Sequence, residues 1–193
     1  MNKDKLPFMA TVIGHLIFQG FMVYQGVETA LKNSDISEFV MKNRLFLIIS
    51  SIALMASLIL ANLGIKSKFI IFTTVSLITG LLYHRTKDIR EALLEVIAIF
   101  ISMIIAGLIS VQLGFKLKTM GTVLFFALLA LIIARLFRPG DKNFTKIGTI
   151  IFALFVLYDT NQILQRNYGG DFINASVDYF TDILNLFALS SEE

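Results

Sequence analysis

Asp159, Asp178 and Asp182 each lie inside an apolar run near the C-terminus. The runs cover residues 147–165 and 172–189, and the segment between them is Arg166-Asn-Tyr-Gly169-Gly170-Asp171. That composition breaks helices and predicts a tight turn. Asp159 precedes Arg166 by seven residues and Asp178 follows Asp171 by seven. At 1.5 Å per residue both then sit roughly 10 Å from the turn. Asp182 is one helical turn deeper, on the same face as Asp178. Antiparallel packing would bring Asp159 to Asp178, to Asp182 or to both. Asn161, Gln162 and Asn185 are expected to add neutral polar partners.

The chemistry follows from the cost of charge in hydrocarbon. An ionised carboxylate at mid-membrane depth costs about 2.5–3.5 kcal/mol on insertion scales. Two carboxyls held together in low dielectric do not both ionise cheaply, so the pair tends to hold one shared proton. With the proton, a hydrogen bond ties the two helices together. Without it, like charges push them apart. Such a pair is a pH-responsive latch, and the oxygens it exposes suit a hard cation such as Ca²⁺.

The rest of the chain must hold this pair inside a membrane. Its 193 residues are 56% hydrophobic and 16% charged, with mean hydropathy +0.76, more apolar than a soluble domain of this size requires. The net charge of +3 is spread as single basic residues and pairs between apolar runs, which is loop charge and not a nucleic-acid stripe. There is no cysteine, and His15 and His84 are the only histidines, so thiolate and multi-histidine metal sites are excluded. The run from Phe8 lacks an obvious signal-peptidase site and reads as a retained first span.

Seven spans are predicted, at about 8–30, 45–65, 69–83, 92–115, 119–134, 147–165 and 172–189. A full span needs about 20 residues, so the shorter ones lie nearly upright or borrow from their loops. A count of six, with the last helix shallow, is the competing topology. Short connections predict antiparallel neighbours. The expected fold is an all-α polytopic membrane bundle, a single transmembrane domain over residues 1–193. His15 is expected to make a neutral polar contact between helices, and Glu28 and Glu95 to face interfacial water.

At the C-terminal residues the chain resembles the transmembrane Bax inhibitor motif family. The resemblance is carried by Leu157-Tyr158-Asp159-Thr160-Asn161-Gln162-Ile163 and by Asp182-Ile-Leu-Asn185-Leu-Phe187. It implies a pH-sensitive passive calcium leak, with eukaryotic members suppressing cell death. It places the pH sensor and gate on Asp159 and Asp182, whereas depth alone slightly prefers Asp178 as the partner of Asp159. Asp159 and Asp182 are also expected to touch calcium transiently. Two departures stand out. The family's tyrosine two residues before the second aspartate is Phe180 here, with Tyr179 beside it. Similar bacterial members have an arginine at the end of the second helix, where this chain reads Leu60-Ala-Asn62-Leu-Gly-Ile-Lys66. The expectation is therefore that no arginine neutralises the pair and that a second-helix contact, if there is one, comes from Asn62 or Lys66.

Other classes fit less well. An intramembrane aspartyl protease needs Gly-x-Gly-Asp, and Tyr168 occupies the first glycine. A retinal protein needs a lysine in the last span, and the last lysine is Lys146. A proton-coupled small-solute carrier is the main alternative, since intramembrane acids also serve proton relays. A non-conducting structural or partner-binding membrane protein is the other. The expectation is an integral membrane protein that is not an enzyme and carries no cofactor. Its partners are the lipid bilayer and calcium as permeant ion, with no nucleic acid and no particular protein partner indicated.

Overall fold

The computed structural model describes residues 5–84, 89–138, 141–166 and 168–190. Pro139 and Gly140, and Asn167 of the predicted C-terminal turn, lie outside the described residues. Among the described residues there are eight helices and no strand. They are α1 (Lys5–Lys32), α2 (Ser34–Lys42), α3 (Arg44–Leu60), α4 (Ile65–Tyr83), α5 (Ile89–Gln112), α6 (Lys118–Phe137), α7 (Lys142–Gln165) and α8 (Phe172–Ser190).

Seven of these correspond to the predicted spans, and α2 is additional. It forms in what reads as a long connection because Asn33 caps it, its side-chain oxygen accepting from the amides of Asp35 at 3.0 Å and Ile36 at 3.2 Å. Asn43 then separates α2 from α3, which meet at 77°. By length and apolar composition α1, α4, α5, α6 and α7 can each cross a membrane, and α2 with α3 counts as a sixth if the bent pair is one span. The helix outside this set is α8, which carries Asp178 and Asp182. Length and composition thus support five to six spans, where the sequence reading expected seven.

What faces outward fits lipid. On α5 the side chains of Leu93, Ile97, Ile101, Ile105 and Ile109 are 42–52% exposed and recur every four residues, forming one apolar stripe. In water a continuous stripe of this kind would be a docking or aggregation surface.

The chain forms two compact units. One comprises residues 1–9, 87–170 and 177–193. Here α7 packs on α5 and α6. Gly107 of α5 lies against Thr160 and the Leu157 carbonyl, and Gly121 of α6 against the ring of Tyr158, so a Cβ at either position would collide. Helix α5 ends in a Schellman motif. The amide of Phe115 donates to the carbonyl of Ser110 at 2.9 Å, the amide of Gly114 to that of Val111 at 3.1 Å, and Gly114 takes φ +79°.

The other unit comprises residues 10–86 and 171–176. Helix α1 meets α4 where Gly26 faces Gly80, close enough that a Cβ on Gly80 would strike the Val23 carbonyl. Beside this contact Gln19 links the two helices. Its Nε2 donates to His15 Nε2 at 2.9 Å, and its Oε1 accepts from Ser76 Oγ at 2.8 Å. His15 is thus a buried polar contact, with the rings of Phe69, Phe72 and Phe172 around it at 5.2–5.6 Å.

Candidate functional site

Helices α7 and α8 touch along the segment that carries the aspartates. Thr160 Oγ1 and the Tyr179 hydroxyl share a 2.6 Å hydrogen bond, and Thr160 also donates to the Val156 carbonyl at 2.8 Å. Tyr179 is fully buried, its ring edge-on to Phe100 at 5.2 Å and its hydroxyl 3.9 Å from Met9 Sδ. This packing fixes the register between the helices one residue from Asp159.

In that register the carboxyls of Asp159 and Asp182 approach closely enough to share a hydrogen bond. Asp182 is 5% exposed, and its Oδ2 is buried with no hydrogen-bond donor among the described residues. Two carboxylate oxygens are both acceptors, so contact between them is attractive only when a proton lies between. Asp178, one turn nearer the start of α8, is half-buried and does not make this bond. Its Oδ2 accepts from the Tyr168 hydroxyl at 3.2 Å, and its charge acts on Asp159. Burial, and then the charge of Asp178, push the Tyr168 phenol well above its ordinary range, so Tyr168 stays a neutral donor.

The neutral candidates divide. Asn161 is fully buried but serves the α5–α6 connection. Its Nδ2 donates to Ser110 Oγ at 2.8 Å and to the Phe115 carbonyl at 3.0 Å, and its Oδ1 accepts from Gln165 Nε2 at 2.9 Å. It braces α7 and does not partner the aspartates. Gln162 is buried and Asn185 half-buried, and neither makes a side-chain hydrogen bond among the described residues.

The second-helix contact expected from Asn62 or Lys66 is not made. Asn62 and Lys66 are exposed and form no hydrogen bond or ion pair among the described residues. The engaged lysine is Lys68. It is 7% exposed and donates to Asp171 Oδ2 at 2.5 Å and Asn174 Oδ1 at 3.1 Å. Asp171 in turn caps α8, its Oδ1 accepting from the Asn174 amide at 3.0 Å. Arg166, at the C-terminal cap of α7, is the arginine whose charge bears on Asp159 and Asp178, without neutralising the pair. It forms no ion pair with either, since the ion pairs among the described residues are Lys32–Glu28 and Lys68–Asp171. Glu28 is thus tied to Lys32 along α1, and Glu95 is exposed.

The family model described as Inhibitor of apoptosis-promoting Bax1 matches residues 8–190. Among similar proteins, Protein LIFEGUARD 1 of Arabidopsis thaliana is 27% identical over 51% of this chain and 45% of its own length. Bax inhibitor 1 of Schizosaccharomyces pombe is 28% identical over 56% of this chain and 42% of its own length. The Golgi anti-apoptotic protein of Vaccinia virus strain Lister is 24% identical over 65% of this chain and 54% of its own length. The chain therefore spans about half the length of the curated relatives it matches. The family match covers both aspartate helices and every apolar helix before them, and this chain is an integral, multi-pass membrane protein belonging to the Bax inhibitor family.

Proposed function

We propose that this protein is a passive, pH-sensitive calcium leak gated by the Asp159–Asp182 pair. The observation that carries this reading is the approach of the two carboxyls to hydrogen-bonding reach, with one Asp182 oxygen buried without any donor among the described residues. The bond exists only while a proton is shared. When that proton leaves, two like charges face each other in a low-dielectric interior and drive α7 and α8 apart.

The freed oxygens are hard ligands that can touch Ca²⁺ in passing. Two carboxylates fall far short of the 6–8 oxygens of a tight calcium site, and weak sites are what conduction needs. Calcium is thus the permeant ion and not a resident cofactor. No bond-making chemistry enters the reading, and its other partner is the bilayer. The names Bax inhibitor 1 and Golgi anti-apoptotic protein, borne by relatives, extend it to restraint of cell death through the leak.

The test is calcium flux into liposomes at several pH values for the wild type, Asp159→Asn, Asp182→Asn and the double variant. Each single change keeps the shape and removes the shared proton, so flux should lose its pH response. The double change should add little, because both act on one proton. Unchanged pH dependence in both single variants would remove the pair from the mechanism. Counterflow of organic solutes without calcium flux would favour a proton-coupled carrier.

A further inference from the structure

Tyr168 lies outside both α7 and α8, yet it is half-buried. Its hydroxyl donates to Asp178 at 3.2 Å, and its ring stacks on Phe8 with centroids 5.8 Å apart and planes at 27°. The first turn of α1 grips the same region at two more points. The Lys5 ammonium donates to the Arg166 carbonyl, and Met9 Sδ lies 3.9 Å from the Tyr179 hydroxyl. Gly169 and Gly170 follow with φ of +59° and +85°, backbone that favours glycine. The chain therefore bends immediately after Tyr168.

We propose that Tyr168 is a releasable cover over the turn-side end of the aspartate cluster, held in place by Asp178 and by the first turn of α1. Three observations support it. A turn has no need of a large aromatic ring, and one tucked inward occludes what lies behind it. The bond to Asp178 is long, since hydroxyl-to-carboxylate contacts usually measure 2.5–2.7 Å, so it is weak enough to break. Asp178 also gains a use separate from the Asp159–Asp182 pair, as the anchor of the cover. Tyr168 is a positioning residue that acts by occlusion. The inference rests on the leak reading only in supposing that the uncovered path conducts.

Because the chain has no cysteine, a single introduced thiol reports access cleanly. Gln162 is buried on α7, one turn from Asp159 towards Tyr168 and on the same face. The full chain carrying Gln162→Cys is placed in liposomes and labelled with a membrane-impermeant thiosulfonate. Adding Tyr168→Ala should speed labelling at least tenfold. Tyr168→Phe, which keeps the ring and loses the tether, should speed it several-fold. Asp178→Asn retains an oxygen acceptor and should label at the starting rate, whereas Asp178→Leu should match Tyr168→Phe. Equal rates with and without Tyr168→Ala would overturn the cover.

Should Gln162→Cys not fold, hydrogen exchange of the amides of residues 160–166 takes its place. Faster exchange in Tyr168→Ala supports the cover, and equal exchange overturns it. Calcium flux in the same liposomes separates the two ideas. Faster labelling without flux in any variant supports the cover and defeats the leak. Unchanged labelling with pH-dependent flux defeats the cover and leaves the leak standing.

Discussion

Asp171 uses both of its carboxylate oxygens. Oδ1 caps α8 through the Asn174 amide, and Oδ2 holds the buried ammonium of Lys68. The start of the helix that carries Asp178 and Asp182 is therefore pinned by one ion pair. Breaking it from the lysine side leaves a carboxylate with a cap but no counter-charge. Hydrogen bonds to charged groups are worth about 1.5–3 kcal/mol, so Lys68→Met should destabilise by that order. Asp171→Asn should cost less, since the amide oxygen still caps. In a double-mutant cycle read by thermal unfolding in detergent, the pair should show clear coupling. Additive losses would mean that the ion pair contributes nothing beyond the cap.

Thr160 and Tyr179 should respond unequally to losing their shared hydroxyl contact. Tyr179→Phe leaves Thr160 still bonded to the Val156 carbonyl, so the cost should be a few tenths of a kcal/mol to about 1. Thr160→Val strands a fully buried phenol with only a thioether 3.9 Å away, and should cost about 1–3 kcal/mol. The double variant should recover most of that loss. Chemical denaturation of the three variants checks the order, and a larger loss for Tyr179→Phe would contradict it.

The glycines of α1 should split in the same way. Gly20 has open space where a Cβ would go, so Gly20→Ala should stabilise by up to about 1 kcal/mol through helix propensity. A Cβ at Gly26 would meet the backbone of α4 at Gly80, which cannot move aside cheaply. Gly26→Ala should instead cost about 1–3 kcal/mol. Melting temperatures moving in opposite directions would show that α1 and α4 meet backbone to backbone. A stabilised Gly26→Ala would refute the close approach.

How much of this was legible in the sequence turns on helical periodicity. Carboxylates inside apolar runs are costly enough to announce themselves, and the short Arg166–Asp171 turn made α7 and α8 neighbours. Depth arithmetic alone left Asp178 and Asp182 as rival partners. Only the register set by Thr160 and Tyr179 separates them. Asn161 was read as a partner of the aspartates, but it stands two residues from Asp159, roughly 200° around the helix, and faces the Phe115 carbonyl instead. Lys66 is singled out by its place one turn after Asn62, but the buried face of α4 presents Lys68, which serves Asp171 and not the pair. The placing of Arg166 is not legible in the same way, because a residue just past a helix end has no periodic face. Helix α2 was hidden by its length, since nine residues with charges at both ends read as a loop until the Asn33 cap is recognised.

Arg166 offers the last prediction. Its guanidinium is exposed at the end of α7, and its positive charge reaches Asp159 and Asp178 without an ion pair. A positive charge favours the ionised form of a nearby carboxyl, so in the proposed latch Arg166 helps the shared proton to leave. Replacing it with Gln removes that help. The pair then keeps its proton to higher pH, and the flux midpoint should move up. Exposed charges interact by about 0.2–1 kcal/mol, and 1.36 kcal/mol corresponds to one pH unit, so the shift should be about 0.1–0.7 unit. Arg166→Lys retains the charge and should leave the midpoint in place. Since the charge is exposed, raising the salt should shrink the difference between Arg166→Gln and wild type, the Debye length falling to about 3 Å at 1 M. These three results come from the same liposome flux measurement across pH. A downward shift in Arg166→Gln would reverse the sign of the argument and place the open state on the protonated side of the pair.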